Sequence, residues 1–152
     1  MSRIGELGTS FANLPNLIAE YEDALELARE ILPVHNKTLE KALKEQCAYI
    51  VYFDERRAEI KTLVKHMTIQ VAKVRGGLVR KFNEGHNRAL GERMINSYID
   101  NEDSYIQVHE LLLEIEELYD KYLAVVEAFT KRGFALRDMT SARIAEVHNT
   151  PL

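Results

Sequence analysis

A group of basic side chains around two glycines has the clearest capacity for chemistry in this sequence. Lys73, Arg75, Arg80 and Lys81 flank the glycine pair 76–77 within nine residues. Lys and Arg attract anions, and glycines without a Cβ let an anion approach the backbone N–H groups closely. The spacing therefore predicts an anion-binding site of the kind that holds nucleic-acid phosphates. Two other interpretations fit the same residues: a solvated helix face for the basic side chains, and a hinge at the glycine pair.

Charge is strongly segregated along the chain. The net charge is −4, yet residues 61–93 carry eight basic and two acidic side chains, whereas residues 94–120 carry eight acidic side chains and no Lys or Arg. An anionic partner responds to the local field, which decays over a Debye length of roughly 8 Å. Further basic residues of this zone are Lys61, Lys65, Arg88 and Arg93. Phe82 and Tyr98 are candidates for stacking on unpaired bases, which favours a single strand over a duplex.

No enzyme motif occurs in the sequence. There is no phosphate-binding loop GxxxxGK[ST], no dinucleotide motif GxGxxG, no nucleophile motif GxSxG and no zinc motif HExxH. None of the five histidines has a His or Glu at the helical spacing of a metal site, and the single Cys47 cannot form an internal disulfide. We therefore expect no catalytic residue, no metal and no cofactor, and a protein that is not an enzyme.

The scarcity of helix-breaking residues predicts long helices. No glycine occurs in 9–75 and no proline in 34–150. A first helix is expected over about 13–32 and a second from 36 to about 75. Whether the second helix continues through the glycine pair 76–77 stays open at this point.

Along the second helix, mostly apolar residues recur at alternating steps of four and three residues, which is the pattern of a coiled coil. These positions are Leu39, Leu43, Gln46, Ile50, Phe53, Arg57, Ile60, Val64, Met67, Val71, Val74 and Leu78. A helix roughly 60 Å long, at 1.5 Å per residue, cannot bury this seam against itself and needs a second long helix or another subunit. The two polar positions, Gln46 and Arg57, either fix the register or the oligomeric state of the helices or face solvent.

The C-terminal half is expected to contain three helices. A short helix over about 88–100 is followed by a long one from 104 to about 132, which Gly133 is expected to end. A last helix is expected over about 140–148. Because no alternation of strands and helices is predicted, the fold class is all-α, with long helices in a coiled-coil-like helical hairpin or bundle that is oligomeric.

A segment near the C-terminus connects this sequence with a known family. Residues 126–136 read VEAFTKRGFAL, and Met139 and Arg143 follow. This segment resembles the end of the UvsY-type recombination mediators of tailed phages, which finish in a helix, an Arg-Gly-Phe-Ala turn and a short final helix. The resemblance covers most of the chain in order, with Tyr21-Glu22 and Lys73-Val74-Arg75 upstream, and is sharpest at residues 132–135.

This resemblance implies a protein that binds single-stranded DNA and helps a RecA-like recombinase displace a single-stranded DNA-binding protein. It implies that the family's DNA-binding Lys-x-Arg pair falls on Lys73 and Arg75. It also implies a ring-shaped homo-oligomer, a hexamer or heptamer, assembled through C-terminal helices. The candidate oligomerisation residues are Leu111, Leu112, Ile115, Leu118, Tyr122 and Phe129. The expected organisation is an arm at 1–12, an N-terminal helical region at 13–103, and a C-terminal oligomerisation region at 104–152.

An assembly protein without DNA binding is the alternative. In that case, the basic zone of one chain pairs with the acidic residues 100–120 of another, and the seam serves subunit packing. The sequence has no apolar run of the roughly 18–20 residues that a membrane span needs, and no secretory signal at its start. We therefore expect a soluble cytoplasmic protein, in the host cytoplasm if a phage encodes it.

Overall fold

A computed structural model describes residues 13–34, 38–85 and 90–148 of the chain. Regular structure in these segments is entirely helical. The helices are α1 (Leu14–Ile31), α2 (Leu39–Glu84), α3 (Glu92–Asp100) and α4 (Asp103–His148). The predicted all-α class is therefore confirmed, whereas the predicted arm at 1–12 lies outside the described residues.

Prolines mark both ends of α1. Pro15 lies in the first turn, where its missing N–H costs no hydrogen bond of the helix. The helix ends at Ile31, two residues before Pro33, which cannot continue it. The predicted helix over 13–32 is confirmed to within about one residue at each end.

Helix α2 is continuous through the glycine pair 76–77 and extends to Glu84, well beyond its predicted end. A Cβ on either glycine would meet no atom within 4 Å, so the pair lies on the open side of the helix. On the other side, Leu78 packs into a buried cluster with Ile95 and Ile99. This packing explains why the helix continues although each glycine costs about 1 kcal/mol relative to alanine.

The continuity of α2 removes one predicted role of the glycine pair. N–H groups inside an α-helix donate to the carbonyl four residues earlier, so those of residues 76 and 77 are not available to an anion. The predicted contact between an anion and this backbone is therefore wrong. Only the side chains around the pair remain as candidates for anion binding.

Helix α4 is continuous through Gly133, so the predicted stop there and the separate helix over 140–148 are wrong. The turn that the family resemblance implied at residues 132–135 is likewise replaced by helix. A Cβ on Gly133 would lie 3.2 Å from Nε2 of Gln46, so the glycine makes room for a side chain of α2. One turn later, fully buried Leu136 keeps α4 on the core.

The chain divides into two compact units, one formed by Met1–Glu59 with Leu118–Leu152 and the other by Ile60–Glu117. In the first unit, aromatic rings of α1, α2 and α4 pack together. The ring centroids of Phe53 and Phe129 lie 5.0 Å apart, and Tyr21 meets Tyr122 edge to face at 5.8 Å. The Tyr122 hydroxyl also donates to the Tyr21 carbonyl at 2.8 Å.

Burial raises the pKa of the Tyr21 and Tyr122 hydroxyls well above their ordinary value, because ionisation inside the core would leave a poorly solvated charge. Both hydroxyls therefore stay neutral at physiological pH and act as hydrogen-bond donors. Tyr21 donates to Oε2 of Glu59 at 2.8 Å.

A buried polar cluster joins the same three helices. The side-chain amide of Gln46 on α2 donates to the Phe129 carbonyl and accepts a hydrogen bond from Nη1 of Arg132 on α4. Nε of Arg132 donates to the Leu32 carbonyl, just after α1, at 3.1 Å. Arg132 is only 6% exposed, and within the described segments its Nη2 has no hydrogen-bond partner. Because the Leu32 carbonyl lies at the C-terminal end of α1, the negative end of the helix dipole compensates part of the arginine charge.

The two polar positions of the α2 seam have different environments. Gln46 is buried and bonded to α4, which supports the interpretation that it fixes the register of the helices. Arg57 is half-buried, and its Nη2 lies 2.8 Å from Oδ1 of Asp54 on the same helix. At Arg57 the seam is therefore partly open to solvent.

The second unit packs α3 against the C-terminal half of α2. Leu78, Ile95 and Ile99 form a buried cluster there, and Tyr105 of α4 packs against it. Helix α3 starts at Glu92, four residues after its predicted start. Residues 86–89 lie outside the described part of the chain.

Alanine substitutions of glycines inside helices should have opposite effects at two places. Gly76→Ala and Gly77→Ala are each expected to raise the free energy of unfolding by about 1 kcal/mol, because the new Cβ enters open space and glycine disfavours helix. Gly133→Ala is the matched control and is expected to lower it, since its Cβ would press on Gln46. Urea unfolding followed by circular dichroism measures all three. Destabilisation by alanine at 76 or 77 would contradict a continuous α2.

Candidate nucleic-acid interface

Helix α2 carries six basic residues and no acidic residue between Glu59 and Glu84. Successive residues of an α-helix are turned by about 100°, so residues seven apart lie almost one above the other. Lys73 and Arg80 therefore share one face of the helix, and both are exposed. The same geometry turns Arg75 by about 160° and Lys81 by about 80° from Lys73 around α2.

Arg75 lies on the side of α2 that faces α3. Its Nη2 donates to Oδ1 of Asn96 at 2.9 Å, and its guanidinium carbon lies 6.0 Å from the centroid of the Tyr105 ring. The side chain is half-buried. Arg75 thus holds α3 and the start of α4 to α2, and fewer of its N–H donors are accessible to an external anion than the sequence predicted.

Lys81 forms an ion pair with Glu102. Its Nζ lies 3.2 Å from Oε1 of Glu102, in the connection between α3 and α4. The lysine side chain is 63% exposed and the glutamate side chain 30% exposed, so water screens the pair and its contribution to stability is small. The Glu102 carboxylate nevertheless takes the place beside the Lys81 ammonium that the sequence analysis assigned to a phosphate.

The structure therefore brings together two of the four predicted site residues, Lys73 and Arg80. Lys61 and Lys65, which the sequence suggested as an extension of the basic zone, are exposed. They are turned from Lys73 by about 120° and 80°, in the direction away from Lys81. We call these four residues the cationic face of α2. It is about 28 Å long at 1.5 Å per residue. None of the four side chains forms an ion pair or a hydrogen bond with another residue in the described segments.

Ile69 is a member of this surface that the sequence reasoning missed. It is a large apolar side chain, exposed and placed between Lys65 and Lys73. A helical projection of residues 61–80 as one continuous helix would have found it. An exposed apolar side chain among cations provides a contact for the apolar part of a nucleotide.

Two aromatic rings lie together beside the contact between α2 and α3. The ring centroids of Phe82 and Tyr98 are 5.4 Å apart, with the planes tilted by 31°. Phe82 is half-buried, whereas Tyr98 is 43% exposed. The predicted stacking residues are thus adjacent, and Tyr98 is the one that can reach a base.

Of the other predicted basic residues, Arg93 is exposed on α3, and Arg88 lies outside the described residues.

The predicted oligomerisation residues lie largely inside the single chain. Tyr122 and Phe129 are fully buried and contact the Phe53 ring. Leu112, Ile115 and Leu118 are also buried, and Leu111 is half-buried. Side chains buried in this way offer little surface to a second copy, so their role in oligomerisation stays a prediction.

The described segments contain no group of three or more His, Cys, Asp or Glu residues that could hold a metal ion. They also contain no helix that is long and apolar enough to cross a membrane. Searches of known protein families, curated proteins and solved structures found no significant match to this chain.

Proposed function

We propose that this protein binds single-stranded DNA on the cationic face of α2 and acts as a recombination mediator. The observation that carries the proposal is a row of four exposed cations, Lys61, Lys65, Lys73 and Arg80, on a stretch of helix without a carboxylate. Such a row attracts the phosphates of a nucleic acid, and counterion release provides the free energy of binding.

The preference for a single strand rests on the aromatic residues of the second unit. A base can stack on exposed Tyr98 only if it is unpaired, because stacking on a side chain requires access to the face of the base. Cationic helix faces alone bind duplex and single strand alike. The aromatic pair Phe82 and Tyr98 is therefore the feature that favours single-stranded DNA.

The role in recombination rests on the sequence resemblance. Lys73-Val74-Arg75 and residues 132–135 are the segments similar to UvsY-type mediators. By that similarity, the protein helps a RecA-like recombinase to replace a single-stranded DNA-binding protein on the strand. The cationic face supports only the DNA-binding step of this activity.

Assembly into a homo-oligomer is part of the proposal. Beyond Leu136, the last buried residue of α4, three large apolar side chains are exposed: Met139, Ile144 and Val147. Exposed apolar side chains at the end of a helix are suited to contact with another copy of the chain. A ring of six or seven subunits, as in the family that the sequence resembles, would repeat the cationic face and raise avidity by about 10² to 10⁴.

Fluorescence anisotropy with a labelled oligo-dT tests the proposal. We expect salt-dependent binding with a slope of roughly −2.8 in log affinity against log salt, since four phosphate contacts contribute about 0.7 each on a single strand. A duplex of equal length is the control and should bind more weakly. Absence of binding at low salt would contradict the proposal, and the assembly protein without DNA binding would then be the better interpretation.

A further inference from the structure

The ion pair between Lys81 and Glu102 lies next to the aromatic pair. Nζ of Lys81 is 3.2 Å from Oε1 of Glu102 and 5.4 Å from the centroid of the Phe82 ring. The Phe82 ring in turn lies 5.4 Å from Tyr98. A cation, a stacking surface and a carboxylate are thus grouped within one small region of the second unit.

A nucleotide bound to this group would use the aromatic pair for its base and Lys81 for its phosphate. The carboxylate of Glu102 already makes the contact that the phosphate would make. We propose that Glu102 competes with the phosphate of the bound strand for Lys81 and thereby lowers the affinity for single-stranded DNA. This inference rests on the proposed DNA binding.

The exposure of the pair makes this competition feasible. Ion pairs in contact with water contribute about 0–1 kcal/mol, so a phosphate brought close by neighbouring contacts can displace the carboxylate. This exchange leaves Glu102 without its cation. In the native protein, a phosphate contact to Lys81 therefore adds little to the free energy of DNA binding. Removal of the carboxylate charge should release the full contact.

Glu102→Gln tests the competition, because it removes the charge that pairs with Lys81. With Lys81 released, one further phosphate contact should increase the salt slope by about 0.7, which corresponds to roughly fivefold tighter binding at 0.1 M salt. Lys81→Ala in the Glu102→Gln background should abolish this gain. The backbone carbonyl of Glu102, which accepts the N–H groups of Tyr105 and Ile106 at the start of α4, is kept by the substitution.

Asp100→Asn is the matched control, because it removes one exposed negative charge two residues away without touching Lys81. Anisotropy titrations of oligo-dT compare the native protein with both variants. A gain in Glu102→Gln alone supports the competition. Equal gains in both variants, or none in either while the native protein binds, would overturn it. If the native protein and Glu102→Gln both fail to bind at low salt, the proposed DNA binding itself is wrong.

Discussion

Replacement of Gln46 by leucine is expected to lower the free energy of unfolding by about 2–4 kcal/mol. Leucine fills a similar volume, but it removes the acceptor for Nη1 of Arg132 and the donor to the Phe129 carbonyl. Among the described residues, the guanidinium would then keep a single partner, the Leu32 carbonyl. A buried charge with unpaired donors is costly, because the hydration it had in the unfolded chain is not replaced.

A second substitution identifies the cause of that loss. Arg132→Met in the Gln46→Leu background removes the uncompensated charge and should restore at least half of the lost stability, since apolar replacements of buried polar groups are often neutral. Urea unfolding of the single and double variants gives the coupling energy. Additive losses would mean that the two side chains do not act as one cluster.

Alanine at Lys73 and Arg80 together is expected to weaken binding of single-stranded DNA by roughly 25-fold at 0.1 M salt. Each lost phosphate contact removes about 0.7 from the salt slope, so the slope should fall by about 1.4. Both side chains are exposed and without an intrachain partner in the described segments, and their removal should leave the unfolding free energy almost unchanged. Anisotropy titrations at several salt concentrations measure both quantities.

The matched control is Arg75→Ala with Lys81→Ala, which removes the same amount of charge from the same stretch of α2. Because Arg75 is bonded to Asn96 and Lys81 is paired with Glu102, this variant should largely keep the salt slope of the native protein. Some loss of stability is expected from the contacts to α3. If this variant loses more affinity than Lys73→Ala with Arg80→Ala, the cationic face is wrongly assigned.

Much of the fold was predictable from breaker residues and apolar periodicity. Pro33 marks the end of α1, and the long intervals without glycine or proline correspond to long helices. The stop predicted at Gly133 is wrong, and the sequence left the course of α2 at the pair 76–77 open, because the local preference of glycine competes with packing on the opposite side of the helix. Leu78 holds α2 to its core across the pair 76–77, and Leu136 does the same for α4 beyond Gly133.

The candidate site was predictable in composition but not in geometry. The basic zone was evident from sequence, yet its division into two faces depends on whether residues 73–81 form one helix. The partners Asn96 and Glu102 lie 21 residues away in the chain from Arg75 and Lys81, respectively. No local pattern reveals such pairs.

Apolar periodicity likewise does not distinguish contacts within a chain from contacts between chains. Tyr122 and Phe129 occupy positions that suit either, and in the structure they pack against Phe53 of the same chain. An apolar seam indicates only that a helix needs a partner. Which helix provides the partner is decided by the whole fold.

The contacts between α1 and α4 join distant parts of the chain. Tyr21 and Tyr122 are 101 residues apart, and Leu32 and Arg132 are 100 apart. At about 5–20 residues per second of synthesis, α1 is made roughly 5–20 s before these α4 residues. During that time the apolar side of α1 lacks its α4 partners, so the growing chain presents a surface to which a chaperone can bind before the first unit closes.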